Sequence, residues 1–183
     1  MNIFLLDESP GVAARMHCDK HVPKMIVESA QMLSTAHRML DGKEYLAPSK
    51  SGKRMTKHYL LERNDDVIYK AVHAAHPCTV WTMQSASNYI WHYGLFHALS
   101  EEFEYRFKKI HRSWDILKYI LSVIPKNITD IGPTPYAKAM KAYPDIAVIE
   151  NPVEAYRQFY IADKIEFAKW EKGRSAPTWW NTK

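Results

Sequence analysis

The stretch from His17 to Leu33 restricts the fold more than any other part of this chain. Apolar residues recur in it at spacings of three and four, at Val22, Ile26, Ala30 and Leu33. This spacing predicts a helix from Asp19 to about Leu40 that buries one face. Polar residues repeat at the same spacing, at His21, Lys24, Glu28 and Gln31. They form a second stripe along the helix, and such a stripe is able to line a cleft.

The first turn of this helix is predicted from its proline. Pro23 is tolerated only near a helix start, where a missing amide hydrogen costs little, so Asp19 is the predicted N-cap. Lys20, His21 and Lys24 then lie at the positive end of the helix dipole, where a phosphate is attracted. A capped core helix with a solvated charged face explains the same pattern, and this alternative stays open.

Length and composition indicate one domain over residues 1–183, since 46% hydrophobic residues are ample for a core. Lys and Arg number 25 against 20 Asp and Glu, a net charge of +5 that permits a nucleic-acid partner. The chain has two cysteines, no apolar run as long as a membrane span and no signal-peptide pattern at its start. These features predict a cytoplasmic protein, in the host cytoplasm if a phage encodes it, without membrane association.

The remaining pattern predicts an all-α fold, a compact single-domain bundle of six or seven helices with long irregular loops. The predicted segments are a buried apolar run 1–6, a short helix to about Cys18, a mobile basic loop 43–57, a short helix 64–74, a helix starting at Pro77, a long helix 85–110, a short helix 113–123, an irregular loop 125–152 and a last helix from Pro152 to about Trp170. In the long helix, aromatic and apolar residues repeat every three or four positions, at Tyr89, Tyr93, Phe96, Leu99, Phe103, Phe107 and Ile110. This face is predicted to pack on the helix 19–40 as the main core.

Several chemistries are disfavoured by the sequence. His17 and His21 have metal-ligand spacing with Cys18 between them, but an N-cap at Asp19 interrupts the helix that this spacing needs. No metal and no cofactor are therefore predicted. The chain also has no glycine-rich phosphate loop, nucleophile elbow or dinucleotide fingerprint. Cys18 as a nucleophile has histidines beside it, although a cysteine at a helix start is more often inert packing.

Glu28 is the strongest candidate for an acid, a base or an electrostatic group. It lies one turn beyond Lys24 and two turns beyond His21 on the polar stripe. The alternative is a surface ion pair with Lys24, which would contribute little. Tyr156 and Tyr160, like the aromatic C-terminal tail, are able either to stack on bases or to fix the chain to the core.

Four motifs together resemble the pyrimidine-dimer DNA glycosylases of the phage endonuclease V type and their uncharacterised relatives. They are DKHVPKMIVESAQML at 19–33, His76-Pro77 with Trp81 downstream, EEFEYR at 101–106, and Lys169-Trp170 followed by PTWW at 177–180. The resemblance is a scattered pattern over most of the chain. It implies a compact all-α domain that flips a base out of duplex DNA.

The resemblance also implies a mechanism. In that family the N-terminal α-amine breaks the glycosidic bond and forms an imine, β-elimination then cleaves the strand, and one glutamate stabilises the sugar cation. The glutamate follows a histidine of a D-x-H pattern by seven residues, so Asp19-Lys20-His21 carries this role onto Glu28. The family has arginines near this glutamate, whereas in this chain the only nearby cation of the polar stripe is Lys24. The family exposes its amine by removing the initiator methionine, whereas Asn2 predicts that Met1 stays and supplies the amine.

The sequence thus predicts a DNA repair enzyme with glycosylase and AP lyase chemistry, a hydrolase and lyase in formal terms, acting through Glu28, His21 and Met1. The predicted binding residues, for phosphate, base or sugar, are His17, Lys20, Lys24, His76, Trp81, Asn88, Trp91, Tyr156, Tyr160 and Lys164, with the basic loop as a further phosphate contact. Duplex DNA is the expected partner of a monomer or weak homo-oligomer. The alternatives are a transferase or hydrolase acting on a modified nucleotide or base, and a non-enzymatic nucleic-acid-binding module.

Overall fold

The fold was analysed in a computed structural model that describes residues 1–49 and 51–180. These residues form seven helices and two strands: α1 (Pro10–Met16), α2 (His21–Asp41), β1 (Lys43–Pro48), β2 (Met55–Leu60), α3 (Pro77–Gln84), α4 (Ala86–Phe107), α5 (Arg112–Leu121), α6 (Pro144–Ala147) and α7 (Pro152–Lys164). The fold is mainly helical, but its antiparallel two-stranded sheet means that it is not strictly all-α. None of the helices in the described ranges has both the length and the apolar character needed to cross a membrane.

The two long helices predicted from the apolar spacing form the centre of the fold. The helices α2 and α4 pack against each other and run in opposite directions. The hydrogen bond between His37, near the end of α2, and Tyr89, near the start of α4, indicates this orientation. Phe96 is fully buried in the core, whereas Phe103 is only partly buried. Ile110 lies beyond the helix end and is 58% exposed, so the predicted aromatic face is three residues too long.

The start of α2 differs from the prediction. Lys20 occupies the N-cap position without a capping hydrogen bond, and Pro23 still lies within the first turn. The Asp19 carboxylate instead accepts hydrogen bonds from Arg106 Nη1 at 2.9 Å and from the Glu171 amide at 2.7 Å. Asp19 is therefore not a cap, because two distant segments compete successfully for its oxygens.

The predicted mobile loop 43–57 is instead a hairpin, so that prediction was wrong. The strands β1 and β2 pair in antiparallel register from Lys43 opposite Leu60 to Pro48 opposite Met55. Gly52 adopts φ +70 in the turn, a conformation open to glycine, and its amide donates to the Ser49 carbonyl at 2.7 Å. Lys50, which was predicted to lie in this loop, falls outside the described residues.

The predicted helix 64–74 is also absent, and residues 61–76 form turns and irregular chain. Asn64 adopts the left-handed conformation at φ +59. The guanidinium of Arg38 donates hydrogen bonds to the carbonyls of Asp65, Ile68 and Tyr69. In a helix these carbonyls would accept hydrogen bonds from backbone amides of the same segment. A buried cation on α2 therefore replaces local hydrogen bonds as the partner of this segment.

The described residues near both ends of the chain pack on this core. Residues 3–6 are buried, as predicted, with Leu5 and Leu6 fully inaccessible, but they are not fully extended, because the Leu6 amide donates to the Phe4 carbonyl at 2.9 Å in a tight turn. The last helix ends at Lys164, six residues before the predicted end, and an irregular tail follows. The indole of Trp170 donates to the Met16 carbonyl at 3.1 Å, so the tail returns to the end of α1.

Candidate active site at the N-terminus

The buried N-terminal run places the first residue of the chain beside Glu28. The Met1 amine lies 3.8 Å from Glu28 Oε2, and the amide of Asn2 donates to the same oxygen at 2.8 Å. The other carboxylate oxygen, Oε1, lies 3.7 Å from Lys24 Nζ. One carboxylate of 13% side-chain exposure thus faces two positively charged amines.

The side chain of Asn2 fixes this arrangement. Its Oδ1 accepts from the Tyr156 hydroxyl at 3.0 Å and from Cys78 Sγ at 3.4 Å. Its Nδ2 donates to the Ala139 carbonyl at 3.0 Å. Because α3, α7 and the segment before α6 all contribute, the position of the first two residues depends on the whole fold.

Met1 is anchored by its side chain and accessible through its main chain. The side chain is only 5% exposed, and its Sδ lies 3.8 Å from the Thr79 hydroxyl. The residue as a whole is nevertheless half-buried rather than buried. The accessible part is therefore chiefly the main chain, which carries the amine.

His76 lies close enough to the Met1 amine and Glu28 for their charges to affect its pKa. Its Nδ1 accepts from the Cys78 amide at 3.2 Å, so the proton of the neutral ring is on Nε2. Partial burial lowers the pKa of His76, the positive Met1 amine lowers it further, and the Glu28 carboxylate opposes both. The ring is consequently a neutral hydrogen-bond group at neutral pH. The Cys78 thiol beside it also stays protonated, because burial raises its pKa to about 11.

His21, predicted as catalytic, and His17, predicted to bind substrate, both lie in the core. The His21 ring stacks on Phe4 at 5.0 Å and meets the edge of Tyr160 at 5.1 Å. Burial, with positive neighbours, lowers the pKa of His21 to about 2. Burial likewise lowers the pKa of His17 to about 4, and its Nδ1 lies 2.7 Å from the Ala13 carbonyl. Both imidazoles are therefore neutral at neutral pH and enclosed in this conformation.

Three predicted binding residues lie together away from Glu28: Trp81 and Trp91 form an aromatic cluster with Tyr136, and Asn88 packs beside it. Trp81 stacks on Tyr136 at 4.8 Å, and the half-buried Trp91 donates its indole hydrogen to the Glu8 carbonyl. The buried Asn88 amide bonds Trp81 O and Thr134 Oγ1. These contacts use the polar atoms internally, so the cluster has a packing role in this conformation.

Tyr156 and Tyr160 are buried as well, and neither offers a ring face to a base in this conformation. Tyr156 is 1% exposed and holds Asn2, while the Tyr160 hydroxyl accepts from the Cys18 amide at 3.0 Å. Burial raises the pKa of both phenols well above the usual value. The tail is fixed in the same way, because Trp179 packs on Tyr160 and lies 3.3 Å from Met16 Sδ.

The predicted phosphate-binding lysines differ in accessibility. Lys24 is 59% exposed, and Lys20 is exposed with its Nζ 4.5 Å above the ring of Phe167. Lys164 is only 15% exposed and pairs with Asp163. Lys20 and Lys24 therefore provide accessible positive charge near the start of α2.

A separate groove of about 510 Å³ lies at the opposite end of α2 and does not include Glu28. It is lined in part by His37, Asp41, Ile68 and Tyr119. The Asp41 carboxylate accepts from the amides of Lys126 and Asn127, so it has a structural role there.

Sequence reasoning brought Met1 and Glu28 together but missed the residues that hold them. Asn2, Cys78 and the Ala139 carbonyl have no spacing pattern that relates them to Glu28. The sequence shows only a polar residue, Asn2, directly before the apolar run, and this residue predicted the retention of Met1 but not its contacts.

Comparisons of the chain with protein-family models, with curated proteins and with solved structures find no match.

Proposed function

We propose that the Met1 amine and Glu28 form the active site of a DNA glycosylase with AP lyase activity. The observation that carries the proposal is the 3.8 Å approach of the amine to Glu28 Oε2 on a main chain that is partly accessible. The motifs that resemble the pyrimidine-dimer glycosylases place a catalytic amine and a glutamate in the same two roles. The accessible Lys20 and Lys24 beside the site suit a polyanionic substrate.

In this proposal the neutral amine attacks C1′ of the damaged nucleotide. The glycosidic bond breaks, and the base leaves with the bonding electron pair and takes up a proton. The C1′–O4′ bond then opens, O4′ takes the proton that the amine has lost to Glu28, and the sugar remains on the chain as a protonated imine. Loss of a C2′ proton then expels the 3′ phosphate by β-elimination. Glu28 stabilises the cationic sugar and is placed to receive the proton that the attacking amine loses.

The carboxylate is prepared for this role by its neighbours. The Asn2 amide donates to Oε2 at 2.8 Å and Lys24 Nζ lies 3.7 Å from Oε1, so each oxygen has a partner. A carboxylate held in place in this way stabilises positive charge that develops on a sugar beside it. The proposal requires a free amine at Met1, which N-terminal sequencing checks. Removal of Met1 would place the nitrogen of Asn2, 2.8 Å from Oε2, in the same role.

Borohydride trapping tests the proposal. The native chain is incubated with duplex DNA that carries an abasic site or a pyrimidine dimer, and borohydride reduces any imine to a stable crosslink. We expect a crosslink to the first residue, located by mass spectrometry, and none with a chain acetylated at its N-terminus.

Lys24→Gln is the matched control because Lys24 is the other amine at Glu28. Trapping that survives acetylation and disappears in the Lys24 variant would move the nucleophile to the lysine. If the native chain traps nothing while Glu28 remains essential for turnover of a free nucleotide or base, the nucleotide-modifying alternative replaces the glycosylase.

A further inference from the structure

Almost all of the net positive charge of the chain lies in the β1–β2 hairpin. Residues 43–60 contain five of the 25 lysines and arginines and one of the 20 acidic residues. The hairpin therefore carries a net +4 of the total +5, in about a tenth of the chain. Such concentrated charge is the electrostatic footprint of a surface that meets a polyanion.

The charges of the hairpin are displayed to solvent. Lys43, Lys53, Arg54 and Lys57 are all exposed. Lys57 pairs with the hairpin's acidic residue, Glu44, at 2.9 Å. The other three have no carboxylate within 4 Å in the described part of the chain, so their charge is not neutralised within the fold.

The hairpin also exposes apolar side chains that the core does not use. Tyr45, Leu46, Met55 and Leu60 are between 43% and 63% exposed. Leu46 and Met55 lie on one face of the ribbon with Lys57, and Tyr45 lies on the other beside His58, with ring centroids 5.5 Å apart. On such a surface the apolar side chains can contact base edges and sugars, while the cations between them contact phosphates.

The base of the hairpin is rigidly held, so the ribbon projects in a defined direction. The Arg38 guanidinium donates to the Tyr59 carbonyl at 2.6 Å, and the Gly42 amide bonds the Arg38 carbonyl at 3.0 Å. A two-stranded ribbon of six residues a strand is about 20 Å long and fits the B-DNA major groove, which is about 12 Å wide.

From these observations we infer that the hairpin is a second DNA-binding element that enters a groove of duplex DNA away from the active site. This inference rests on the proposed function for the identity of the polyanion. Glu28 lies thirteen residues before Asp41, the last residue of α2, which corresponds to about 20 Å. With α2 along the DNA axis, the hairpin contacts DNA about six base pairs, or roughly half a helical turn, from the damaged nucleotide.

The test removes, in the full chain, the three hairpin cations that are unpaired among the described residues, by Lys43→Gln, Lys53→Gln and Arg54→Gln. Binding to an undamaged duplex is measured by fluorescence anisotropy between 50 and 200 mM salt. Each phosphate contact contributes about 0.9 to the slope of log affinity against log salt, so the slope should fall by about 2 to 3 and the affinity by at least about tenfold. The matched control carries Lys108→Gln, Lys109→Gln and Arg112→Gln, which remove three exposed charges beyond α4.

An unchanged slope, or an equal loss in the control, would overturn the inference, the latter because net charge alone would explain the effect. Equal hairpin-dependent binding to duplex RNA would also overturn it, because the deep, narrow RNA major groove excludes a ribbon. Hydroxyl-radical footprinting on damaged duplex should lose protection about six base pairs from the lesion in the hairpin variant only. Neither binding measurement requires chemistry, so failure of borohydride trapping with intact hairpin dependence would reject the glycosylase and retain the hairpin.

Discussion

Glu28 illustrates how a single carboxylate acquires a role from its neighbours. Its Oε2 receives the Asn2 amide and faces the Met1 amine, while Oε1 faces Lys24. Side-chain exposure of 13% keeps water from screening these contacts fully. The residue therefore differs from the surface ion pair that the spacing to Lys24 alone would describe.

Glu28→Gln is expected to lower turnover on damaged DNA by about 10²–10⁴-fold, because a positioned acid-base or electrostatic group is lost. The glutamine oxygen still accepts from the Asn2 amide, so folding and DNA binding should change little. Single-turnover cleavage and anisotropy measure the two effects. Glu101→Gln is the control, since Glu101 is 70% exposed on α4. Equal activity of the two variants would remove Glu28 from the mechanism.

Buried histidines predict how stability depends on pH. Burial lowers the pKa of His92 to about 3, of His17 to about 4 and of His21 to about 2. Between pH 6.5 and about 4, the unfolded chain binds protons that the folded chain refuses. The contribution of these histidines to the free energy of unfolding is therefore complete above pH 6.5. As the pH is lowered below 6.5, the free energy of unfolding decreases by about 1.4 kcal/mol per pH unit for each such histidine.

Urea unfolding at pH 7 and pH 5 checks this dependence. His92→Asn retains a polar atom near Thr82, 2.8 Å away in the native protein, and removes one titrating ring. We expect the pH 7 to 5 difference to shrink by about 2 kcal/mol. His97→Asn, at a ring that is 49% exposed, is the comparison. Identical differences in both variants would contradict the assignment to buried rings.

At the scale of elements, one residue of α2 organises the chain from the hairpin to α3. Arg38 is 1% exposed and donates to the carbonyls of Tyr59, Asp65, Ile68 and Tyr69 as well as to the Asp65 carboxylate at 2.5 Å. These bonds replace the helix predicted over residues 64–74. The connection 61–76 has a defined conformation because Arg38 on α2 donates hydrogen bonds to its carbonyls.

Arg38→Met should therefore lower the free energy of unfolding by about 3 kcal/mol, since several carbonyls and a carboxylate lose their partner. The connection 61–76 should also become sensitive to limited proteolysis before the rest of the chain. Arg63→Met is the comparison, because Arg63 is exposed in the same connection. A loss below about 1 kcal/mol in the Arg38 variant would indicate that water replaces the guanidinium.

At the scale of the whole molecule, a buried cation joins three segments far apart in sequence. Arg106 near the end of α4 donates to the carbonyls of Arg15 and His17 and to the carboxylates of Asp19 and Glu102. The Glu102 carboxylate also accepts hydrogen bonds from Nε and Nη2 of Arg174 in the C-terminal tail, each at 2.9 Å. The end of α1, the start of α2, α4 and the tail are thus tied at one point.

The two arginines should differ strongly in their contribution to stability. Arg106→Met removes the donor of the Arg15 and His17 carbonyls and leaves the carboxylates of Asp19 and Glu102 with fewer partners in a buried site, so it should cost about 3–5 kcal/mol. Arg174→Met removes a partly exposed partner and leaves Arg106 on Glu102, so a loss of about 1 kcal/mol is expected. Thermal or urea unfolding measures both. Similar losses would mean that the tail contact, and not the α1–α2–α4 junction, controls stability.

The sequence by itself determined the features that depend on local periodicity. Apolar residues at spacings of three and four were enough to predict α2 and α4 and their mutual packing, because each turn of a helix places such residues on one face. Pro77 at the first position of α3 and Asn151 as the cap of α7 were likewise readable, because these effects act within one turn.

Only the tertiary structure decided which polar residues reach the candidate site. His21 and Glu28 belong to one stripe, but Phe4 and Tyr160 cover the first and leave the second beside the chain terminus. Asn2 meets Tyr156 across 154 residues of sequence, and no local pattern encodes such a contact. The physical reason is that a stripe specifies direction around one helix, whereas burial depends on which distant segment packs against each of its turns.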